Sequence, residues 1–346
     1  MDIRTAAVTE PGKIEILTLD TPALEGNEVL VKVHAVALCT LEQRIFSGEV
    51  RMPLPCTGGH EVAGEIAALG PEAGKGLHKA GDRVVVRLLY ACGECRNCRK
   101  GRTNMCENAR TKPVRPGMLP GPGGLCDSII VKPDALFPIP DNLPYGQAAL
   151  SEPLACVVHS VRRAGIELAD DVVVLGGGVM GQLHVMLAAR RGARVIVSEP
   201  DPQRRELALR SGASLAIDPL ACDPVQAVLD CTGGHGADVV FNTTPVASVA
   251  GQAVAMTAAG GTMIQFSSVH PDAPFPLSPQ SVHEREITIS GSISPRVEDF
   301  DTAVRLLSSS IIDCSALIGG TFPFEQAQKA FEEAVRPCTM RIIISD

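Results

Sequence analysis

The chain has 346 residues, about twice the size of a typical domain of roughly 100–200 residues, so two domains are expected. Hydrophobic residues make up 45% and charged residues 20%, which supplies a core and excludes intrinsic disorder of the chain as a whole. The formal charge of −8 argues against a nucleic acid or an anionic membrane as a partner, because both bind clustered Lys and Arg.

The 12 cysteines require a separate interpretation. The first residues, Met1 to Thr5, show no basic segment followed by an apolar stretch, so no secretory signal is predicted. No apolar run approaches the ~20 residues of a membrane helix. These features predict a cytoplasmic protein with reduced thiols, in which clustered cysteines bind metal rather than form disulfides.

Short β-branched segments separated by Gly and Pro turns occupy residues 1–146, without alternation of helices and strands. Strands are predicted at Val29–Val36, Glu61–Ala67 and Arg83–Val86. This pattern indicates a β-rich, barrel-like domain.

From about Ala148 onward, predicted strands and helices alternate, which is typical of an α/β domain with a doubly wound parallel sheet. The predicted elements of this region are Asp171–Leu175, Gln182–Arg191, Arg194–Ser198, Pro202–Ser211, Ala213–Ile217, Ala237–Asn242 and Gly261–Ser267. Two further helices, Val297–Ser308 and Glu325–Val335, precede a last strand, Met340–Ile344, that could return to the first domain. We therefore expect a discontinuous domain of residues 1–147 and 287–346, and a second domain of residues 148–286.

A glycine-rich turn follows the first strand of the alternating region and reads G-x-G-x-x-G. Such a turn lets backbone amides and a helix N-terminus approach a pyrophosphate. Glycines also recur in ordinary turns, but the next strand ends at Glu199, whose carboxylate can accept hydrogen bonds from adenosine ribose hydroxyls. The residues of the turn predicted to bind a dinucleotide are Gly176, Gly178, Val179, Met180 and Gly181.

The charge at Glu199 favours NAD over NADP, because a 2′-phosphate would meet that carboxylate as a like charge. Arg204 lies nearby in the sequence and weakens this exclusion, although it could instead stack on the adenine. The alternative is a doubly wound domain that binds another ligand.

The densest cysteine cluster has the spacing C-x2-C-x2-C-x7-C and consists of Cys92, Cys95, Cys98 and Cys106. Four thiolates on one loop suit tetrahedral Zn²⁺ in a closed, structural site. Four unconnected reduced cysteines are the alternative. A zinc ribbon that binds nucleic acid is disfavoured, because a single short basic loop lies in an acidic chain.

A second group of metal-binding residue types is dispersed over Cys39, Gly59-His60-Glu61 and Ser151-Glu152-Pro153. With the glycine that follows at position 64, the four-cysteine segment and the glycine-rich turn, they resemble the zinc-dependent medium-chain alcohol dehydrogenases. The resemblance covers essentially all of the chain and is strongest to the sorbitol (polyol) and threonine dehydrogenase branch. It implies a GroES-like catalytic domain with a structural zinc lobe, joined to a Rossmann domain that binds NAD.

The resemblance implies two Zn²⁺ per chain, one of them catalytic and held by Cys39 and His60. Glu61 or Glu152 would complete the ligand set directly or through water, and an open position would take water or the substrate alcohol. Most alcohol dehydrogenases of the family have a cysteine where Glu152 stands, so the glutamate points to the polyol branch. Arg341 resembles the family's basic residue near the cofactor phosphates and the zinc-side glutamate.

The first ligand segment, Cys39-Thr40-Leu41-Glu42, departs from the family's usual Cys-Gly-Ser/Thr-Asp. The hydroxyl that starts proton release is replaced by Leu41, which cannot carry a proton. The proton would leave through Thr40, Glu42, Glu61 or bound water. Glu42 stands where the family has an aspartate that orients the ligand histidine, and could serve in the same way.

The resemblance implies oxidation of a secondary alcohol (a polyol, sugar alcohol or cyclitol) to a ketone, with hydride transfer to NAD. The alternatives are an amino-alcohol dehydrogenase of the threonine type and, because of Leu41, a catalytically silent dinucleotide-binding protein. A homodimer or homotetramer is expected from the family. The Gly- and Pro-rich loop of residues 112–124 is predicted either to shape the site or to be an ordinary surface loop.

Overall fold

The computed structural model describes residues 1–73, 76, 78–109 and 114–346. The chain forms two compact units, Met1–Ala155 with Arg296–Asp346, and Cys156–Pro295. The first unit is discontinuous, and its boundaries lie further along the chain than residues 147 and 287. The second boundary differs because Thr288–Gly291 pairs with a parallel strand of the second unit before the chain returns.

Strands and helices follow one another in chain order through the described residues. The strands are β1 (Asp2–Glu10), β2 (Lys13–Asp20), β3 (Val29–Ala37), β4 (Cys56–Thr57), β5 (Glu61–Leu69), β6 (Arg83–Arg87), β7 (Ser128–Val131), β8 (Leu136–Pro138), β9 (Asp171–Leu175), β10 (Arg194–Ser198), β11 (Leu215–Ile217), β12 (Ala237–Asn242), β13 (Thr257–Gln265), β14 (Thr288–Gly291), β15 (Ile318–Pro323) and β16 (Arg341–Ser345). The helices are α1 (Thr40–Ser47), α2 (Arg96–Arg99), α3 (Tyr145–Ala148), α4 (Ser151–Ala164), α5 (Val179–Arg190), α6 (Pro202–Ser211), α7 (Pro224–Cys231), α8 (Ala247–Met256), α9 (Pro279–Arg285), α10 (Val297–Ser308) and α11 (Ala327–Ala334).

Two sheets form the first unit. The smaller sheet has the order β2-β1-β4, and the larger has the order β15-β16-β3-β5-β6-β8, with β7 also paired to β3. Their inward faces bury apolar side chains such as Val31, Val62, Val84 and Ile342 in one core. The predicted β-rich domain is confirmed, and the last strand does return to it.

Helix α1 was not predicted, because eight residues give too short a periodic pattern to stand out from a loop. It starts at the N-cap residue Cys39 and ends at Gly48, whose φ of 80° is left-handed. The helix therefore begins immediately after the first predicted metal ligand.

The second unit has one parallel sheet in the order β11-β10-β9-β12-β13-β14. The first strand of the unit, β9, lies in the middle and the chain winds outward on both sides of it, as in a doubly wound dinucleotide-binding fold. Residues such as Val173, Ile196 and Val240 are fully buried between the sheet and its helices. The doubly wound sheet is thus confirmed, and ligands of such sheets bind at the carboxyl ends of the central strands.

Candidate active site

Strand pairing brings the dispersed ligand residues together. In the antiparallel pair of β3 and β5, Ala37 lies opposite Glu61, so Cys39 just beyond the end of β3 faces His60 just before the start of β5. Strand β16 pairs with the other edge of β3, and the amide of Leu38 donates to the carbonyl of Ile342 at 2.9 Å. The site therefore forms where three strand ends meet.

Two overlapping groups of donor atoms share His60. In the first, the donor atoms of Cys39, Glu42 and His60 lie within 4.8 Å of one another, and in the second the same holds for His60, Glu61 and Glu152. Glu152 comes from the first turn of α4. All four predicted ligands of the catalytic metal thus belong to one of two groups that have His60 in common.

Glu42 connects the segments that carry Cys39 and His60 through hydrogen bonds. One of its carboxylate oxygens, Oε1, accepts hydrogen bonds from His60 Nδ1 at 2.8 Å and from the Gly59 amide at 2.9 Å. The other, Oε2, accepts from the Cys39 amide at 3.2 Å. Burial opposes ionisation of Glu42, but the charge and hydrogen bonds of His60 outweigh it and lower the pKa of the carboxyl. Because Nδ1 is engaged, Nε2 of His60 is the nitrogen available to a metal.

Glu61, the residue after His60, forms a buried ion pair with Arg341. Arg341 Nη2 lies 3.1 Å from Glu61 Oε1, and Arg341 Nη1 donates to the carbonyl of Leu38 at 3.0 Å. Within the described residues, neither carboxylate oxygen of Glu61 accepts a hydrogen bond, although both are buried. Burial raises the pKa of Glu61 to about 7, against the opposing charges of Arg341 and His60. A buried carboxylate of this kind fits a nearby cation.

The segment around the ligand histidine requires glycine. Gly59 has a φ of 83°, and a Cβ at this position would lie 2.6 Å from the backbone nitrogen of Leu125. The described part of the predicted loop packs on this segment, because Gly124 donates to the Gly59 carbonyl at 3.0 Å and Pro120 accepts from the Thr57 amide at 2.9 Å. Residues 112 and 113 of the predicted loop lie outside the described residues. The loop shapes the backbone beside His60.

The structure also describes the residues after Cys39 that differ from the usual family segment. Leu41 is 40% exposed on the first turn of α1, and Thr40 beside it is exposed too. Glu42 is almost completely buried and already accepts three hydrogen bonds. Both carboxylate oxygens of Glu42 are therefore occupied by the backbone and side chain of the ligand segments.

The four-cysteine segment forms a second candidate metal centre. The sulfur atoms of Cys92, Cys95, Cys98 and Cys106 lie within 4.8 Å of one another. Backbone amides, first that of Cys95, lower the pKa of Cys92 to about 6, whereas burial and the neighbouring Cys95 thiol raise the pKa of Cys98 to about 12. Four sulfurs at this spacing cannot all ionise without a cation between them, so the donor set fits tetrahedral Zn²⁺. All 12 cysteines lie within the described residues, and no disulfide joins any of them.

The glycine-rich turn connects β9 to α5 in the second unit. The helix begins at Val179, earlier than the predicted Gln182, so Val179 and Met180 supply its first amides. A Cβ at Gly181 would lie 1.9 Å from the carbonyl of Gly176, which explains why the last position of the motif is glycine. The N-terminus of a helix carries partial positive charge, so this turn suits an anion.

Glu199 and Arg204 lie beside this turn. Glu199 Oε2 accepts from the Gly177 amide at 2.5 Å, and its Oε1 accepts from the Asp201 amide at 2.9 Å. The Arg204 guanidinium lies 3.9 Å from where a Cβ of Gly178 would be. The structure thus brings both predicted cofactor residues to the turn, whereas Arg341 lies at the first unit's ion pair with Glu61.

Residues that the sequence analysis did not identify hold the turn in place. Gln182 Nε2 donates to the carbonyls of Gly177 and Arg204, both at 2.9 Å, and Thr243 Oγ1 donates to the Leu175 carbonyl at 2.7 Å. His184 contacts the carbonyl of Met180. Buried Gln and His within the apolar helix α5 were a signal that could have been read from the sequence.

Two sequence families match the two parts of the chain. Residues 25–141 match the alcohol dehydrogenase GroES-like domain, and residues 179–309 match the zinc-binding dehydrogenase domain. A 2-dehydro-3-deoxy-L-galactonate 5-dehydrogenase of Pseudoalteromonas atlantica is 34% identical over 89% of this chain and 88% of its own length. The chain belongs to the zinc-dependent medium-chain alcohol dehydrogenase family.

Other members of this family match over nearly the full length. A sorbitol dehydrogenase of Bacillus subtilis is 30% identical and covers 97% of this chain and 94% of its own. An L-threonine 3-dehydrogenase of Caldanaerobacter subterraneus is also 30% identical, with 99% of both chains covered. The predicted resemblance to the sorbitol and threonine dehydrogenase branch is therefore confirmed.

A solved structure gives the same fold. A zinc-binding dehydrogenase of Sinorhizobium meliloti, bound to NADP, superposes with a TM-score of 0.91 over 100% of both chains at 28% identity. The GroES-like domain and the Rossmann domain are thus both confirmed as the fold of this family member. In the described part of the chain, no helix combines the length and the apolar character that crossing a membrane requires.

Proposed function

We propose that the protein is an NAD-dependent zinc dehydrogenase that oxidises a secondary alcohol of a polyol, sugar acid or cyclitol to a ketone. The observation that carries this proposal is that His60 belongs both to a group with Cys39 and to a group with Glu61 and Glu152, with the donor atoms of each group within 4.8 Å of one another. A sulfur, a histidine nitrogen and a carboxylate oxygen are ligands that Zn²⁺ accepts in catalytic centres with one open position.

Zn²⁺ bound at this site would supply Lewis-acid chemistry that makes an alcohol hydroxyl more acidic. The protein residues would orient the reactants. Glu42 fixes the ring of His60, and Arg341 balances the charge of Glu61. Either Glu61 or Glu152 would complete the ligand set, directly or through water. With Leu41 in place of a hydroxyl, the proton would leave through Thr40, Glu61 or water, and a bound nicotinamide would supply the hydride acceptor.

Glu199 supports NAD as the cofactor. Its buried carboxylate stands at the carboxyl end of β10, where an adenosine ribose would bind, and a 2′-phosphate would add a like charge there. Arg204 beside the turn favours an anion, and a relative at 28% identity binds NADP. Steady-state kinetics with NAD and NADP at matched concentrations tests this choice directly.

The metal sites are tested by zinc analysis. We expect about two zinc ions per chain. His60→Ala should lose the zinc at the catalytic site and keep the four-cysteine zinc, whereas Cys92→Ser should lose the four-cysteine zinc. His283→Ala changes an exposed histidine of α9 and serves as the matched control with unaltered zinc. If His60→Ala retains all of the zinc, the catalytic site is wrong.

The substrate class is tested on the same zinc-loaded sample. NADH formation is followed with polyols, sugar acids, cyclitols and L-threonine, because relatives act on both hydroxylated acids and amino alcohols. A preference for L-threonine would replace the polyol proposal by the amino-alcohol alternative. No turnover with any alcohol, in a protein that binds NADH, would favour a silent dinucleotide-binding protein. Light scattering tests the homodimer or homotetramer that the family suggests.

A further inference from the structure

Two amide side chains end adjacent strands of the parallel sheet in the second unit. Asn242 is the last residue of β12 and Gln265 is the last residue of β13, and the two lie opposite each other in the strand pairing. In the same row of the sheet, Leu175 ends β9 beside Asn242, and Gly291 ends β14 beside Gln265. The two amides therefore lie at the carboxyl edge, where ligands of a doubly wound sheet bind.

The side chains of Asn242 and Gln265 form a hydrogen-bonded pair. Nδ2 of Asn242 donates to Oε1 of Gln265 at 2.9 Å, and Asn242 is fully buried. A buried amide is costly unless its polar atoms are hydrogen-bonded, so the other oxygen and nitrogen of the pair need partners as well. Those partners lie in the two loops that follow the strands.

Each amide holds the loop that follows its own strand. Oδ1 of Asn242 accepts hydrogen bonds from the amide of Thr244 at 3.2 Å and from its hydroxyl at 2.9 Å. Nε2 of Gln265 donates to the carbonyl of Ser267 at 2.6 Å, and the Ser267 amide donates to the backbone carbonyl of Asn242 at 3.1 Å. A continuous chain of hydrogen bonds therefore fixes the two loops relative to each other.

The strand order indicates which part of a dinucleotide these loops face. In the order β11-β10-β9-β12-β13-β14, strands β9 to β11 form one mononucleotide-binding half, and strands β12 to β14 form the other. The first half carries the glycine-rich turn and Glu199, which the proposed function assigns to the pyrophosphate and the adenosine ribose. The second half, with the loops after β12 and β13, is then the half that faces the nicotinamide end.

We propose that Asn242 and Gln265 are positioning residues for the nicotinamide half of the dinucleotide. They hold Thr244 and Ser267 so that the two loops keep the shape that receives the nicotinamide mononucleotide. This inference rests on the proposed dinucleotide binding. It predicts that the pair contributes to the affinity for NADH and not to the affinity for ADP, which contains only the adenosine and the pyrophosphate.

Calorimetric titration with NADH and with ADP separates the two halves. Gln265→Met has a similar length but loses the acceptor for Asn242 and the donor to Ser267. It should raise the Kd for NADH about three- to tenfold, the effect of one hydrogen bond, and leave the Kd for ADP within about twofold of wild type. Arg194→Met is the matched control, because it removes a hydrogen bond to Asp171 at the amino edge of the same sheet, and it should bind both ligands as wild type does.

A structural role alone predicts that Gln265→Met weakens the binding of NADH and of ADP by the same factor, and that result would overturn the proposal. A wild-type Kd for NADH in this variant would overturn it too. If Gln265→Met does not fold, Gln265→Glu replaces it, because it keeps the acceptor for Asn242, loses the donor to Ser267 and should show the same split between NADH and ADP. If wild type binds neither NADH nor ADP, the proposed dinucleotide binding fails, independently of the pair.

Discussion

Replacing Glu42 with glutamine tests whether this residue organises the candidate catalytic metal site. The carboxylate offers two acceptor oxygens to three donors, the amides of Cys39 and Gly59 and the Nδ1 of His60. Glutamine has nearly the same shape but carries one oxygen and one NH₂ group. In either orientation the NH₂ group faces at least one N–H donor, so at least one hydrogen bond is lost and the others lose their charge assistance.

The magnitude follows from these contacts. A hydrogen bond to a charged group contributes about 1.5–3 kcal/mol, and loss of a group that orients a ligand weakens metal binding by about 10- to 100-fold. That ratio corresponds to about 1.4–2.7 kcal/mol, so the two values agree. Glu42→Asp, which keeps the charge on a shorter side chain, should lose less affinity than Glu42→Gln.

Competition with a chromophoric zinc chelator measures the effect. Glu42→Gln should release the more weakly held zinc at about 10- to 100-fold lower chelator concentration, with the four-cysteine zinc unaffected. Glu72→Gln, which changes an exposed carboxylate, is the matched control and should behave as wild type. Equal zinc retention by the two glutamine variants would refute the role assigned to Glu42.

Three further changes give separable outcomes. Glu199→Ala should raise the KM for NAD about tenfold and reduce the preference for NAD over NADP, because a charged partner of the ribose is lost; an unchanged NAD/NADP ratio would contradict the ribose assignment. Leu41→Ser should raise kcat or shift its pH profile if a hydroxyl beside Cys39 limits proton release, and no change would mean that another route suffices. His184 has a pKa of about 4 when folded, against about 6.5 when unfolded, so the unfolded chain takes up its proton first as the pH falls. Between pH 7.5 and 5 this should lower the free energy of unfolding by about 2 kcal/mol in wild type relative to His184→Asn, as measured by urea denaturation at the two pH values.

The elements that the sequence predicted well are those encoded within a short segment. Strands Asp171–Leu175 and Arg194–Ser198 and helices Pro202–Ser211 and Val297–Ser308 have the predicted bounds, because continuous apolar runs and capping residues define them locally. Helix α1 was missed, because eight residues, about two turns, give too short a periodic pattern to define a helix locally. The edge strand β14 belongs to the second unit because it pairs with β13, which no local pattern shows.

The candidate sites divide in the same way. The sequence determined the four-cysteine centre and the glycine-rich turn by itself, since their spacing forces the sulfur atoms, or the backbone amides, into one small volume. It also named Cys39, His60, Glu61 and Glu152, but only through a family resemblance, because nothing local connects residues so far apart. Only the tertiary structure determined which residues contact these predicted ligands.

Glu42 forms hydrogen bonds to the segments that carry Cys39 and His60. Arg341 forms an ion pair with Glu61, because β16 pairs with β3. His184 is buried beside Ser160 and two aromatic rings on other elements, and a buried side chain's protonation depends on the partners that folding brings to it.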